Sequence, residues 1–157
     1  MLRALKLLAR RPHSVAEIED RLRRNSDVDE ETLRRVLKRL EELGYLDDRR
    51  FASAYASSRI AARPLGAQRI RNDLRRRKVS EELTELAITD AFAETSEESL
   101  IDRAIAKRIR VRGVPATRDE SQKLFAHLIR QGFSFDLALR KIRELTGSAG
   151  LAPDSTV

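Results

Sequence analysis

The sequence predicts an all-α fold of three tandem three-helix repeats. Three observations lead there. Aromatic residues make up 4% of the chain, glycine numbers 6 and proline 4, while charged residues reach 36%, a mixture that favours helices over sheets. Apolar residues recur at helical spacing, and no stretch alternates with period two for long enough to make a strand. Finally, one unit of helix, short turn and capped helix is written three times.

The repeat is carried by Ile18 and Leu22, Ile70 and Leu74, and Leu124 and Leu128. Each pair leads to a further apolar residue, Val28, Val79 or Phe133, and then to a helix-capping residue, Asp29, Ser80 or Ser134. A preceding helical stretch completes each unit: Leu2 to Ala9, Phe51 to Ala62 and Leu100 to Arg110. Loops holding Pro12, Pro64 and Pro115 follow these stretches, because proline lacks an amide donor and disfavours helix in the residue before it. The expected units are residues 1–46, 47–95 and 96–146, with a loose tail over 147–157.

Local chemistry supports the boundaries in order. Ser14 with Glu17, and later Thr117 with Glu120, fit the capping box, in which the hydroxyl accepts from an amide and the glutamate reaches back. Leu33, Val36, Leu37, Leu40 and Leu43 line one face of a helix, leaving Arg34, Arg35, Lys38, Arg39, Glu41 and Glu42 on the wet side. Gly44 suits the left-handed end of that helix. Asp47 caps the next one, with Leu46 and Phe51 at the two hydrophobic staple positions. Residues Ala93 to Ser99 read as a polar linker ahead of the third unit.

Composition also bounds function. With no cysteine, neither a disulfide framework nor a thiolate metal site is available. No apolar run approaches the roughly 20 residues that span a bilayer. Leu2 to Leu8 is short and is followed by Arg10 and Arg11 without a cleavage site, so a cytoplasmic chain is expected. His13 and His127 have no spaced carboxylate or thiol companion, and no glycine-rich phosphate loop appears. A protein without enzymatic activity, cofactor or metal is expected.

The net charge of +7 suits a polyanionic partner. Residues 59–78 hold eight Arg/Lys and one acid, Asp73, whereas residues 79–100 hold seven acids and no base. If Ala67 to Arg77 is a helix with Ile70 and Leu74 inward, Arg69, Asn72, Arg75 and Arg76 lie outward. Arg71 and Lys78 then flank the buried stripe, their stems covering it while their charges reach water. This run is the better candidate for anion binding, against a surface that is merely soluble or paired with the acids of residues 81–98. Arg103, Lys107, Arg108, Arg110 and Arg112 form a second basic set. Few aromatics accompany either, so nucleic-acid contact would be mainly to phosphate.

The stretch Leu46-Asp47-Asp48-Arg49-Arg50-Phe51-Ala52, following Gly44 and Tyr45, resembles the LDDxxFA signature of the RecX family of recombination regulators. Gly66, Ile70 and Leu74 with basic neighbours resemble its basic repeat, and Leu128 with Phe133 fits its third unit. The chain departs from the family pattern at Lys78, where glycine is common, and at Asn25-Ser26-Asp27. The resemblance implies an elongated, curved body lying in the groove of the RecA–DNA filament and suppressing RecA's ATPase and strand exchange, with RecA supplying the nucleotide chemistry. A monomer away from membranes is expected, with Arg69, Arg71, Arg75, Arg76, Lys78, Arg103, Lys107 and Arg110 as partner or DNA contacts. Leu46, Asp47, Asp48, Phe51 and Ala52 are read as a structural helix start, with Asp48 pairing to a partner's arginine as the alternative.

A winged-helix DNA-binding regulator is the rival. Residues 4–46 match the helical half of that fold, with Arg34, Arg35 and Lys38 facing the major groove. The rival requires a β-hairpin directly afterwards, where Asp47 to Ala62 reads as capped helix.

Overall fold

The computed structural model describes residues 1–24 and 28–147. Among the described residues it holds nine α-helices and no strand. Unit 1 comprises α1 (Leu2–Leu8), α2 (Val15–Arg23) and α3 (Glu30–Glu42). Unit 2 comprises α4 (Asp48–Ala62), α5 (Ala67–Arg76) and α6 (Glu81–Glu94). Unit 3 comprises α7 (Glu97–Arg112), α8 (Arg118–Arg130) and α9 (Phe135–Thr146). The helix pairs that pack most extensively all lie within one unit. The Asn25-Ser26-Asp27 departure and the tail beyond Gly147 lie outside the described residues. Because α4 follows Leu46 directly, the winged-helix rival lacks its wing.

The caps form as the sequence predicts. Both capping boxes close, at Ser14 with Glu17 and at Thr117 with Glu120. Asp29, Asp47, Ser80 and Ser134 each accept from a backbone amide three residues on. One boundary differs from expectation. Ser96 accepts from the Ser99 amide and starts α7, so Ala93 and Glu94 finish α6 and Glu97 to Ser99 open α7, leaving Thr95 and Ser96 as the connection.

The same turn ends α3, α5 and α8. In each, an amide five residues on donates to a leucine carbonyl: Tyr45 to Leu40 at 2.9 Å, Val79 to Leu74 at 3.2 Å and Phe133 to Leu128 at 3.2 Å. The residue before the donor has positive φ: +73° at Gly44, +56° at Lys78 and +92° at Gly132. Lys78 therefore adopts the left-handed backbone that its glycine-like position demands, at a cost of about 1–2 kcal/mol for a residue with a Cβ.

Among the described residues, burial gives two cores rather than three. Ala4, Ile18, Leu22, Leu33, Leu37, Leu40 and Leu46 form one cluster inside unit 1. A second, larger cluster runs without interruption from Phe51 and Ala52 on α4 to Ala138 and Ile142 on α9. Leu46 and Phe51 thus anchor different cores instead of forming one staple. The repeat is also imperfect at its turn residue: Val79 and Phe133 are buried, but Val28 is 42% exposed.

Units 2 and 3 are locked where α5 meets the α8–α9 turn. Gly66 caps α5 without a side chain of its own, so the orphan amides of this helix start need partners from elsewhere. Unit 3 supplies them. The Gly66 amide donates to the Gln131 carbonyl at 3.0 Å, the Gln68 amide to the Gly132 carbonyl at 3.1 Å, and the Ala67 amide to Glu97 Oε1 at 2.9 Å. A Cβ on Gly66 would collide with the Gly132 carbonyl, and one on Gly132 would collide with the Arg69 backbone.

Gly66→Ala is therefore expected to destabilise the block from Phe51 to Ile142 by about 1–3 kcal/mol, the range of an overpacked interior. Gly44→Ala meets nothing within 4 Å and should cost only the left-handed penalty of about 1–2 kcal/mol, without the added clash. Urea unfolding of both variants checks the order.

Candidate partner-binding surface

The signature stretch is occupied by the structure itself. Asp47 Oδ1 accepts from the Arg50 amide at 2.9 Å, and Arg50 donates to the Gly44 carbonyl at 2.6 Å. Ala52 is fully buried beside Phe51. Asp48 turns the other way and accepts from the Val15 amide of unit 1 at 2.8 Å. Burial pushes its carboxyl above the usual carboxylate range, against the opposing pull of that bond. Spacing alone does not show this long-range bond, which gives Asp48 a role inside the chain.

Two more bonds join units 1 and 2. The Ser14 hydroxyl donates to the Arg77 carbonyl at 2.6 Å, and Lys78 Nζ reaches Asp20 at 2.7 Å. The first joint is therefore polar, in contrast to the apolar continuity between units 2 and 3.

The basic run on α5 divides in two. Arg71 makes a two-pronged pair with Glu85 of α6, its Nη2 lying 2.9 Å from Oε2. Lys78 is committed to Asp20. Arg69 lies 3.6 Å from Asp73, a buried carboxylate that also accepts from Tyr55 at 3.1 Å and Arg59 at 3.4 Å. Only Arg75 and Arg76 of the five expected contacts are exposed with no ion pair to a described residue. The pairing with acids weighed for this run is realised at Arg71.

On α7 the balance is reversed. Leu100, Ile101, Ala104 and Ile105 face the core, which turns Arg103, Lys107 and Arg110 to the opposite side at i, i+4 and i+7. All three are exposed and none has an ion pair among the described residues. From Arg103 to Arg110 the row extends about 10 Å along the axis.

Next to this row, the second joint opens into a cleft of about 280 Å³ lined by Arg63 and Pro64 at the end of α4, Lys107 and Arg108 on α7, and His127 and Gln131 on α8. Burial holds the His127 imidazole below its ordinary pKa, helped by Arg108 and Arg130. Arg63 and His127 lie outside the expected contact set because they are distant in sequence and meet only when α8 docks. Among the described residues, no group of three or more His, Asp or Glu is placed to hold a metal, and no helix is long and apolar enough to cross a membrane.

Known proteins with these features are consistent in name. Residues 1–40 match a family model described as the first three-helix domain of RecX, and residues 47–88 match the second. A protein of Thermobifida fusca named regulatory protein RecX is 34% identical over 151 residues, covering 96% of this chain and 80% of its own. One of the same name from Halorhodospira halophila is 36% identical over 133 residues, covering 85% and 80%. A crystal structure of regulatory protein RecX superposes with a TM-score of 0.77 at 25% identity, covering 90% of this chain and 70% of that one. RecX from Lactobacillus salivarius gives 0.75 at 22% identity, covering 91% and 92%.

Replacing Asp48 tests its place in the first joint. Asp48→Ala leaves the Val15 amide unpaired and should cost about 1–3 kcal/mol, whereas Asp48→Asn keeps an acceptor there and should remain closer to wild type. The folded-state pKa of Asp48 is raised, so its ionised form is disfavoured in the fold. Relative to Asp48→Asn, the wild type should therefore gain stability as pH falls through that pKa. Denaturant titrations of the three proteins over an acidic pH series check this sign.

Proposed function

The chain belongs to the RecX family, and from that membership we propose that it binds the RecA–DNA filament and restrains RecA's ATP turnover and strand exchange. The observation that carries the reading is the cationic row of Arg103, Lys107 and Arg110 on α7, which has no ion pair among the described residues, seconded by Arg75 and Arg76 on α5. A filament of nucleic acid and protein offers repeated negative charge at fixed intervals. A chain of tandem units suits such a target, because each engaged unit raises the effective concentration of the next.

The proposed mechanism is mechanical. Units 2 and 3 share one core and act as a stiff strut, while unit 1 is attached through a polar joint at Asp48, Ser14 and Lys78. A strut lying across neighbouring RecA subunits in the filament groove opposes the relative movements that ATP turnover and strand exchange require. The chain performs no chemistry of its own in this reading, and RecA does the hydrolysis. It acts as a cytoplasmic monomer. Arg69, Arg71 and Lys78 contribute mainly through their internal pairs, and the surface contacts fall to α7 and the end of α5.

The test is inhibition of RecA's DNA-dependent ATPase over a salt series. Arg103→Gln with Arg110→Gln should raise the concentration needed for half inhibition by about tenfold. It should also flatten the log–log salt slope by roughly 0.7–0.9 for each phosphate that is no longer neutralised. Arg75→Gln with Arg76→Gln should have a smaller effect. If the four-residue combination inhibits like wild type, neither helix forms the contact.

A further inference from the structure

We propose that the cleft between units 2 and 3 is a phosphodiester-binding clasp, formed by Arg63, Lys107, Arg108 and His127. It differs from the exposed row on α7 in being concave and in drawing on three helices from two units. The cleft of about 280 Å³ is large enough for a phosphate group with its flanking sugar atoms. Its walls bring three permanent cations and an imidazole together. No carboxylate lines it, and neither Arg63, Lys107 nor Arg108 has an ion pair among the described residues. Like charges gathered around a hollow repel one another unless an anion enters, so a cleft lined in this way is electrostatically poised for one.

The chemistry favours phosphate over carboxylate. Two guanidinium forks and an ammonium supply more donors than two carboxylate oxygens use, and arginine forks match phosphate oxygens in pairs. The cationic row then continues beyond the cleft along α7 to Arg110 and Arg103, as a polyanion requires and a single acidic side chain does not. Acids near α7 do not compete. Glu120 spends its carboxylate on the Ala116 and Thr117 amides at 2.8 and 3.2 Å, and Asp119 is paired with Lys123 at 2.6 Å. Among the described residues no Phe, Tyr or Trp ring lines the cleft, so binding is mainly to the backbone and only weakly dependent on base identity.

The structure also gives the clasp a sensor. His127 shares the cleft with Arg63 just after α4, Lys107 and Arg108 on α7, and Gln131 after α8, and the charges of Arg108 and Arg130 act on it directly. All the charged ones are cationic, and with burial they disfavour the protonated imidazole while no anion is present. An entering phosphate reverses the local field and favours protonation. Phosphate binding is thereby coupled to proton uptake. Choosing a nucleic acid as the source of the phosphate rests on the recombination role proposed above, whereas the cleft and its charge do not.

The experiment uses the full chain without RecA: fluorescence anisotropy of a labelled oligothymidylate at low salt, then over a salt and pH series. Arg63→Gln with Arg108→Gln is expected to weaken binding by about tenfold or more and to flatten the salt slope. His127→Gln is expected to abolish the tightening that the wild type shows as pH falls from about 7.5 to 5.5. If Arg63→Gln with Arg108→Gln loses its melting transition, Arg63→Gln with Lys107→Gln, both exposed positions, takes its place. Wild type without measurable binding, or variants that bind like wild type, would overturn the proposal. Equal displacement by polyglutamate of matched charge would also overturn it, by showing a carboxylate site. Since RecA is absent from these measurements, their outcome is independent of whether the chain regulates a filament.

Discussion

The meeting of Gly66 with Gly132 is the constraint on which the rest of the molecule depends. At this point two backbones approach so closely that neither tolerates a Cβ, and the start of α5 receives its capping partners from unit 3. An isolated unit 2 would leave those amides to water, so α5 is complete only when unit 3 is docked. Gln131, whose carbonyl accepts from Gly66 in this contact, also lines the cleft where Arg63, Arg108 and His127 converge. A backbone lock thus borders a side-chain site.

The other joint is built on different physics. Asp48, Ser14 and Lys78 bind across it by single polar bonds, and the two apolar clusters remain separate. Hydrogen bonds to a backbone give direction without much cohesion, whereas a shared apolar core gives cohesion over a wide area. A stiff pair with a more loosely held neighbour is the physical result. The stretch Leu46 to Ala52 straddles the division, placing Leu46 in one core and Phe51 and Ala52 in the other.

Local chemistry is readable from the chain because its causes are local. Caps such as Ser14, Thr117 and Ser134 act on amides three residues away, and Gly44 marks a turn through its own backbone freedom. The helical period places Ile18, Leu40, Ile70 and Leu128 inside. Pairings across long sequence distances are not readable in this way. Whether Arg71 faces solvent or Glu85, and whether Lys78 reaches water or Asp20, depends on how helices pack after they form. The acids of residues 79–100 belong to this second category: Glu85 neutralises a cation of α5, and Glu97 caps its start. Charge counted along the sequence therefore overstates the cationic face of α5 and understates that of α7. The polar linker expected before unit 3 is misplaced for a local reason instead: Ser96 caps a helix whose first turn is rich in acids, and that polarity reads as a linker.

The separation into two apolar clusters has a consequence for dissection of the chain. A cleavage after Leu46 would sever one covalent link and leave both clusters intact, each with the burial that holds it together. A cleavage between Thr95 and Ser96 would instead divide the larger cluster between two fragments, and their separation would open apolar interior to water. The natural fragments of this protein are thus one-third and two-thirds, although its sequence is written in thirds.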